Sequence, residues 1–150
     1  MNVSEVMHAP VRTCSVGDTL DEVARLMWEE DCGCVPLVDD QGHVVAMITD
    51  RDVCMAAYTQ AQPLAKIVAK SAASRSITTV HENAQVEAVE ALMRDRRIRR
   101  VPVVDAEQRP IGIVSLNDLA LHARPGGRRR EGLSAESIAR TLAGICEHAP

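Results

Sequence analysis

The sequence is almost devoid of aromatic residues. Its 150 residues include one tryptophan, one tyrosine and no phenylalanine. Hydrophobic residues still make up 46% of the chain, which is ordinary for a globular protein. The core must therefore consist of Val, Ile, Leu, Met and Ala, and a planar ligand would lie between aliphatic side chains.

Long apolar runs and export signals are also missing. No apolar stretch approaches the roughly 18–20 residues that a membrane span needs, and the N-terminus has no basic segment followed by an apolar run. The five cysteines form no C-x-x-C pair, so we interpret them as reduced thiols. These absences predict a soluble cytoplasmic protein with no membrane partner. The length of 150 residues allows one compact domain or two small halves.

No catalytic or metal-binding motif is recognisable. The sequence has no P-loop, nucleophile elbow, Rossmann glycine pattern or spaced pair of carboxylates, so we expect no enzymatic activity. Cys32 and Cys34 lack the further Cys or His ligands, at suitable spacing, that a zinc site needs. We interpret them as small buried residues entering a strand, and we expect no metal.

An internal repeat organises the chain. The segment Val35-Pro36-Leu37-Val38-Asp39 corresponds to Val101-Pro102-Val103-Val104-Asp105, which lies 66 residues later. The same displacement places Asp52 on Asp118. Because the matches fall at positions where a fold constrains the residue type, we interpret the chain as a tandem duplication.

Each copy is predicted to form a strand, a helix, two further strands and a second helix. In the first copy these are Val11–Cys14, a helix from the capping box Thr19–Glu22, Cys34–Val38, His43–Ile48 and Asp50–Tyr58. In the second they are Ser76–Val80, a helix with the stripe Val86, Val89, Leu92 and Met93, then Val101–Val104, Ile111–Val114 and Leu116–His122.

The chain is divided accordingly. We predict a first repeat at 1–60, a connector at 61–74, a second repeat at 75–123, and an Arg/Gly linker with a short C-terminal helix at 124–150. Ser134 is expected to cap that last helix, and its apolar stripe is Ile138, Leu142 and Ile145.

A polar corner ends each copy. Thr49-Asp50-Arg51-Asp52 and Ser115-Leu116-Asn117-Asp118 each follow an apolar strand and begin a helix. A Ser/Thr-x-x-Asp corner can cap its own helix. Alternatively, its carboxylate can accept both hydroxyls of a cis-diol while the hydroxyl and the helix N–H groups meet a phosphate. The residues leave both interpretations open, and a cap remains a cap when a ligand binds.

This ordered set of motifs, present twice, resembles the cystathionine-β-synthase (CBS) domain family in its tandem form, the Bateman module. The resemblance covers roughly Val3 to Ala123. It implies an α/β (α+β) fold of two β-α-β-β-α repeats related by a pseudo-twofold axis, with the C-terminal helix added. It also implies a homodimer that associates through helices, and an effector protein whose identity the sequence does not reveal.

The resemblance further implies a regulatory module that binds an adenosine-containing ligand between the repeats and signals by a conformational change. AMP, ADP, ATP, NAD and S-adenosylmethionine are the ligand types, and no other cofactor is required. The ribose and phosphate residues implied are Ser115, Asn117, Asp118, Thr49, Arg51 and Asp52. Those implied for the adenine pocket are Ile77, Thr79, Val101, Pro102, Val11, Thr13 and Pro36. Ala46 stands where the motif usually has glycine, whereas Gly112 matches it, so the second site ranks first.

Five arginines lie between Arg94 and Arg100. They form either a solvated helix end, with cations favourably placed at its C-terminus, or phosphate contacts from Arg97, Arg99 or Arg100. Strand alternation puts Arg99 and Arg100 on opposite faces, so only one of them can face a cleft. A net charge of −4 and the lack of an aromatic platform argue against nucleic-acid binding.

Two further interpretations stay open. The chain could be a ligand-free dimerisation or interaction module in which both corners are only helix caps. Trp28, next to the predicted core residue Met27, could be a subunit contact or a partly exposed surface ring.

Overall fold

The computed structural model describes residues 1–74, 76–123 and 133–147. The chain forms two compact units. The first-repeat unit comprises Arg12–Ile77 and Glu107–Pro110, and the second-repeat unit comprises Met1–Val11, Thr78–Ala106 and Ile111–Pro150. Each contains a three-stranded sheet and helices, so the fold is mixed α and β, as predicted.

In the first-repeat unit the sheet order is β1-β2-β3. Its elements are β1 (Cys14–Ser15), α1 (Leu20–Glu29), β2 (Cys34–Val38), β3 (Val44–Thr49), α2 (Asp50–Gln60) and the short α3 (Ala69–Ala72). Strand β1 runs parallel to β2 with Cys14 opposite Leu37. Strands β2 and β3 are antiparallel, with Cys34 opposite Thr49.

The second-repeat unit repeats this order. Its elements are β4 (Val80–His81), α4 (Val86–Arg96), β5 (Arg100–Val104), β6 (Pro110–Ser115), α5 (Leu116–His122) and α6 (Ala135–Cys146). The sheet order is β4-β5-β6, and β4 runs parallel to β5 with Val80 opposite Val103. None of the helices in the described ranges is long and apolar enough to cross a membrane.

The predicted β-α-β-β-α order is confirmed in both repeats, but the first strand of each is shorter than predicted. Only Cys14–Ser15 and Val80–His81 form ladders, because each pairs solely with the last residues of its neighbouring strand. Helix α2 continues to Gln60 and ends where Ala61 adopts the left-handed conformation, with a φ of 49°.

Each unit is completed by a segment that precedes the other repeat in sequence. The Val3 N–H donates to the Ala84 carbonyl (2.8 Å) in the second-repeat unit. Sixty-six residues later, the Ala69 N–H donates to the Asp18 carbonyl (2.8 Å) in the first-repeat unit. Residues 3–8 and 69–74 are thus equivalent segments, and each lines the sheet of the repeat that it does not precede.

Both cores are aliphatic, as the composition requires. The first is built around Leu20, Val23, Leu37, Ile48 and Ile67. The second is built around Val3, Val86, Met93, Val101 and Leu119.

Helix α6 packs on α4 and α5 of the second-repeat unit. As predicted, Ser134 caps it: the Ser134 hydroxyl accepts the Ser137 N–H at 3.0 Å. The predicted apolar stripe is wrong at one position, since Leu142 is 44% exposed while Thr141 and Ile145 are buried. Thr141 takes the inward position because its hydroxyl accepts from Arg94 (2.9 Å) and donates to the buried Glu90 carboxylate (3.1 Å).

Candidate functional site

The corner between β3 and α2 is a closed capping box. The Thr49 hydroxyl oxygen accepts the Asp52 N–H at 3.2 Å. In return, Asp52 Oδ2 accepts the Thr49 N–H at 2.8 Å and the Thr49 hydroxyl at 2.9 Å. This reciprocal pair satisfies two backbone groups that would otherwise lack partners at the start of the helix.

The corner between β6 and α5 has the same geometry. The Ser115 hydroxyl oxygen accepts the Asp118 N–H at 3.2 Å, and Asp118 Oδ2 accepts the Ser115 N–H at 2.8 Å and the Ser115 hydroxyl at 2.6 Å. Both aspartates are half-buried. The 66-residue repeat therefore holds at the level of individual hydrogen bonds.

Both aspartates use only one carboxylate oxygen in the cap. Neither Asp52 Oδ1 nor Asp118 Oδ1 accepts a hydrogen bond from the residues that the structure describes. Capping is thus established at each corner, and a second acceptor remains on each carboxylate. A carboxylate oxygen in this position can accept hydroxyl donors from a ligand without disturbing the cap.

The other predicted ribose and phosphate residues flank these caps. Arg51 is exposed in the first turn of α2, where its N–H donates to Asp50 Oδ1 at 2.8 Å. Asn117 is exposed at the equivalent place in α5.

A backbone bond ties one predicted phosphate contact to the second corner. The Leu116 N–H donates to the Arg99 carbonyl at 2.9 Å, and the equivalent bond in the first repeat joins Asp50 N–H to the Gly33 carbonyl at 3.1 Å. The second corner therefore has an arginine where the first has glycine.

The arginine side chains differ in their surroundings. Arg99 Nη2 lies 3.7 Å from the Cys146 sulfur on α6. Arg97 ends α4 in the left-handed conformation, and Arg100 begins β5. All three are exposed.

The predicted adenine-pocket residues are distributed over both units. Thr13, Pro36 and Ile77 belong to the first-repeat unit, whereas Val11, Thr79, Val101 and Pro102 belong to the second. Pro36, Val101 and Pro102 are buried in their strands. Thr13 lines a cavity of about 360 Å³ on the side of α1, together with Asp18, Glu22 and Arg25.

The glycine of the second corner has a packing explanation. A Cβ at Gly112 would lie 2.5 Å from Met7 Sδ and 3.1 Å from the His8 carbonyl oxygen. The space above Gly112 is therefore filled by Met7. In the first repeat, Ala46 stands at the position of Gly112 and Ala73 at the position of Met7. The larger strand residue, Ala46, is thus accompanied by a smaller residue, Ala73, on the segment 69–74.

Ala46 and Ala73 line a cavity of about 740 Å³ that was not predicted from the sequence. Its walls are largely apolar, and the polar groups at its rim include Lys70, Ser74 and Asp39. The N–H of His43 above all, with those of Gln41 and Gly42, holds the pKa of the Asp39 carboxyl below its usual value. The sequence signal for this cavity is that both residues of the pair are small, whereas the second repeat has Met7 at the position of Ala73.

Cysteine chemistry contributes no recognisable site. Burial, reinforced by the nearby Asp18 and Glu22 carboxylates, raises the pKa of the Cys14 thiol to about 11, so this thiol stays protonated. Cys34 is buried in β2. Across residues 1–74, 76–123 and 133–147, no group of three or more His, Cys, Asp or Glu side chains could hold a metal ion.

Comparison with known proteins places this geometry in a family. The model of the CBS domain matches residues 3–58 and 69–124. An uncharacterized protein of Methanopyrus kandleri, MK0525, is 33% identical over 119 residues, which is 79% of this chain and 61% of that protein. The chain thus spans less than two thirds of that relative. Hypoxic response protein 1 of Mycobacterium tuberculosis is 32% identical over 118 residues, covering 79% of this chain and 82% of that protein.

Solved structures agree. A crystal structure of Hypoxic Response Protein I, with two coordinated zinc ions, matches with a TM-score of 0.75 and 30% identity, over 83% of this chain and all of that one. The CBS domain pair of protein MJ0100, in complex with 5′-methylthioadenosine and S-adenosyl-L-methionine, matches with a TM-score of 0.73 and 27% identity, over 81% of this chain and 98% of that one. The chain described here therefore belongs to the CBS domain family and carries a tandem pair of these domains.

Proposed function

We propose that the chain is a regulatory module that binds an adenosine-containing ligand at its Ser/Thr-x-x-Asp corners, with no catalytic activity of its own. The observation that carries the proposal is the carboxylate at each corner, which caps its helix with Oδ2 and keeps Oδ1 available as an acceptor. The MJ0100 CBS pair, crystallised with two adenosyl ligands, supports this ligand class.

In this proposal the chemistry is divided within each corner. Asp118 Oδ1 accepts the ribose hydroxyls, while Ser115 and the helix N–H groups attract a phosphate or carboxylate of the ligand. Asn117 contributes a polar contact, and Thr49, Arg51 and Asp52 play the same parts at the first corner. The chain offers no aromatic platform, so the adenine lies against the aliphatic residues predicted for its pocket, such as Val11, Ile77 and Val101.

We rank the second corner first. The usual reason, a glycine that leaves room for the ligand, is weakened because Met7 fills the space above Gly112. We base the ranking instead on Arg99, whose carbonyl accepts the Leu116 N–H, whereas the equivalent carbonyl in the first repeat belongs to Gly33. Arg97 and Arg100 lie beside it in sequence and supply further cations for a phosphate.

We further propose that the module acts as a homodimer and transmits ligand binding to an effector protein. Such a sensor works only if the ligand has different affinities for two conformations. We also propose that it acts in the cytoplasm.

A melting experiment tests the ligand proposal. The panel is AMP, ADP, ATP, NAD, S-adenosylmethionine and 5′-methylthioadenosine, each titrated to millimolar concentration against the full chain. A ligand at 100 times its Kd should stabilise the fold by about 2.7 kcal/mol. If no member of the panel moves the melting temperature, the proposal is wrong.

Matched variants separate ligand binding from capping. Asp118→Asn keeps an oxygen that can cap the helix but replaces the second acceptor with an NH₂ donor, so it should abolish the ligand response at little cost in stability. Asp118→Ala should also lower stability by about 0.5–1.5 kcal/mol, because the Ser115 N–H loses its acceptor. A larger loss of response from Asp52→Asn than from Asp118→Asn would contradict our ranking.

A second candidate function is a ligand-free interaction module. Its supporting observation is that the residues of each corner form a complete capping box with one another. It predicts the same loss of stability on Asp118→Ala, with no response of the wild-type protein to any nucleotide.

A further inference from the structure

The only two large aromatic rings of the chain are exposed on neighbouring helices. Trp28 on α1 is 87% exposed and Tyr58 on α2 is 80% exposed, and Met55 on α2 is 45% exposed. Trp28 borders a cavity of about 320 Å³ between the two helices, floored by Met27 and Val53. A largely exposed tryptophan beside a cavity with an apolar floor marks a candidate interaction site.

Carboxylates surround this tryptophan. Glu29, Glu30 and Asp31 follow it directly and are exposed, and Asp31 and Asp50 line the same cavity. Glu30 pairs with Arg12 at 3.2 Å, whereas Glu29 and Asp31 form no ion pair within the described part of the chain. We refer to Trp28, Glu29, Glu30, Asp31 and Asp50 as the Trp28 surface.

The chemistry of the Trp28 surface suits a guanidinium group. An arginine can stack on an indole face and bond a neighbouring carboxylate with two N–H groups at once. Lysine does neither as well, because its ammonium is compact and more strongly hydrated. The surface therefore favours an arginine-bearing partner over a generally basic one.

The same chain supplies such a partner at the equivalent place of its other repeat. Sixty-six residues after Glu30 and Asp31 stand Arg96 and Arg97, both exposed. Neither guanidinium pairs with any residue in the described ranges. Asp31 and Arg97 also share the left-handed conformation, with φ of 50° and 54°. The two helix ends thus have the same backbone shape and opposite charge.

In the second repeat, the position equivalent to Trp28 is covered by helix α6. The residue equivalent to Trp28 is Arg94, which α6 covers: a Cβ at Gly144 would lie 3.0 Å from Arg94 Cγ, and Arg94 bonds Thr141 at 2.9 Å. Within the described chain no helix covers Trp28.

We propose that the Trp28 surface binds the arginine-bearing end of α4, Arg96 and Arg97, from a second copy of the chain. The inference rests on the proposed homodimer and assigns its contact. Trp28 stacks on a guanidinium, the carboxylates pair with it, and each copy offers both halves of the contact.

Sedimentation velocity of the full chain over a concentration series tests the tryptophan. Trp28→Ala should weaken self-association at least about 30-fold, as expected for a central aromatic anchor. Val68→Ala, at a valine that is 46% exposed elsewhere on the same unit, is the matched control and should change nothing.

Charge exchange tests the partner. Glu29→Arg with Glu30→Arg, and separately Arg96→Glu with Arg97→Glu, should each weaken association at least about tenfold. A mixture of the two double variants should associate again, because each supplies the half that the other reversed. Arg96→Lys with Arg97→Lys keeps the charge and should still weaken association, since stacking and bidentate bonds are lost.

The outcomes separate this inference from the proposals on which it rests. A wild-type protein that is monomeric at its highest soluble concentration overturns the inference and the homodimer together. A dimer that resists Trp28→Ala, or charge variants that do not recover when mixed, overturns the inference alone. The ligand proposal is judged by melting temperature and is untouched by either result.

Discussion

At the scale of single residues, the two repeats differ by exchanges of side-chain volume. Met7 lies over Gly112 in one unit, while Ala73 and Ala46 occupy the equivalent positions in the other. From the sequence, Gly112 indicated an open ligand site, because a glycine in a motif does not reveal which atom occupies the space of its missing side chain. Only the structure shows that Met7 does so. The capping boxes, in contrast, were predictable, since their hydrogen bonds join residues three apart.

The first prediction follows from this contact. Gly112→Ala should lower the free energy of unfolding by about 1–3 kcal/mol, because the new methyl group overlaps Met7 Sδ and approaches a backbone oxygen. Adding Met7→Ala should recover part of the loss, which a double-mutant cycle in urea would measure as a coupling energy.

Gly17→Ala is the matched control for that cycle. A Cβ there would meet nothing closer than 4.0 Å, so its effect should be within about 0.5 kcal/mol. Purely additive effects of Gly112→Ala and Met7→Ala would show that the methionine is not what requires the glycine.

At the scale of elements, α6 shows how a regular pattern can mislead by one position. The spacing of Ile138, Leu142 and Ile145 predicted an apolar stripe, yet Thr141 faces inward and Leu142 is partly exposed. A threonine is preferred there because Glu90, at 3% exposure, needs a donor and Arg94 needs an acceptor. Hydrophobic periodicity cannot anticipate a buried carboxylate on the neighbouring helix.

The buried bond predicts a specific cost. Thr141→Val keeps the shape but removes the hydroxyl, leaving Glu90 without its donor, so stability should fall by about 1–3 kcal/mol. Combining it with Glu90→Leu should cost less than Thr141→Val alone, because no buried acceptor then lacks a partner. Urea unfolding measures both.

Thr59→Val serves as the comparison for this series. Its hydroxyl donates only to the Met55 carbonyl at an exposed place on α2, so little change is expected. An equal loss from Thr59→Val and Thr141→Val would mean that the bond to Glu90 contributes nothing measurable.

At the scale of the whole molecule, most of the fold could be predicted from the duplication. Element order, aliphatic cores and equivalent corners all follow from the 66-residue displacement. The exchange of segments 3–8 and 69–74 does not follow from it, because the two copies match equally well whichever unit each segment joins. Hydrogen bonds such as those from Val3 to Ala84 and from Ala69 to Asp18 decide the question.

The exchange predicts how fragments behave. Residues 12–77 should retain cooperative thermal unfolding by circular dichroism, because they include Ile67 and Ala69, which are buried in the first-repeat core. Residues 1–60 should not, since they lack both core residues and carry a segment that packs elsewhere. Equal melting of the two fragments would contradict this account of the units.

The exchanged segment also sets an order of events during synthesis. Residues 3–8 leave the ribosome long before their partners Ala84 and Ile113 are made. At roughly 5–20 residues per second, His8 waits about 5–20 s for Ile113 of β6, which lies 105 residues later. The first-repeat unit, nearly contiguous in sequence, can fold meanwhile. While that unit folds, residues 3–8 at the start of the chain therefore remain without the partners that they have in the finished structure.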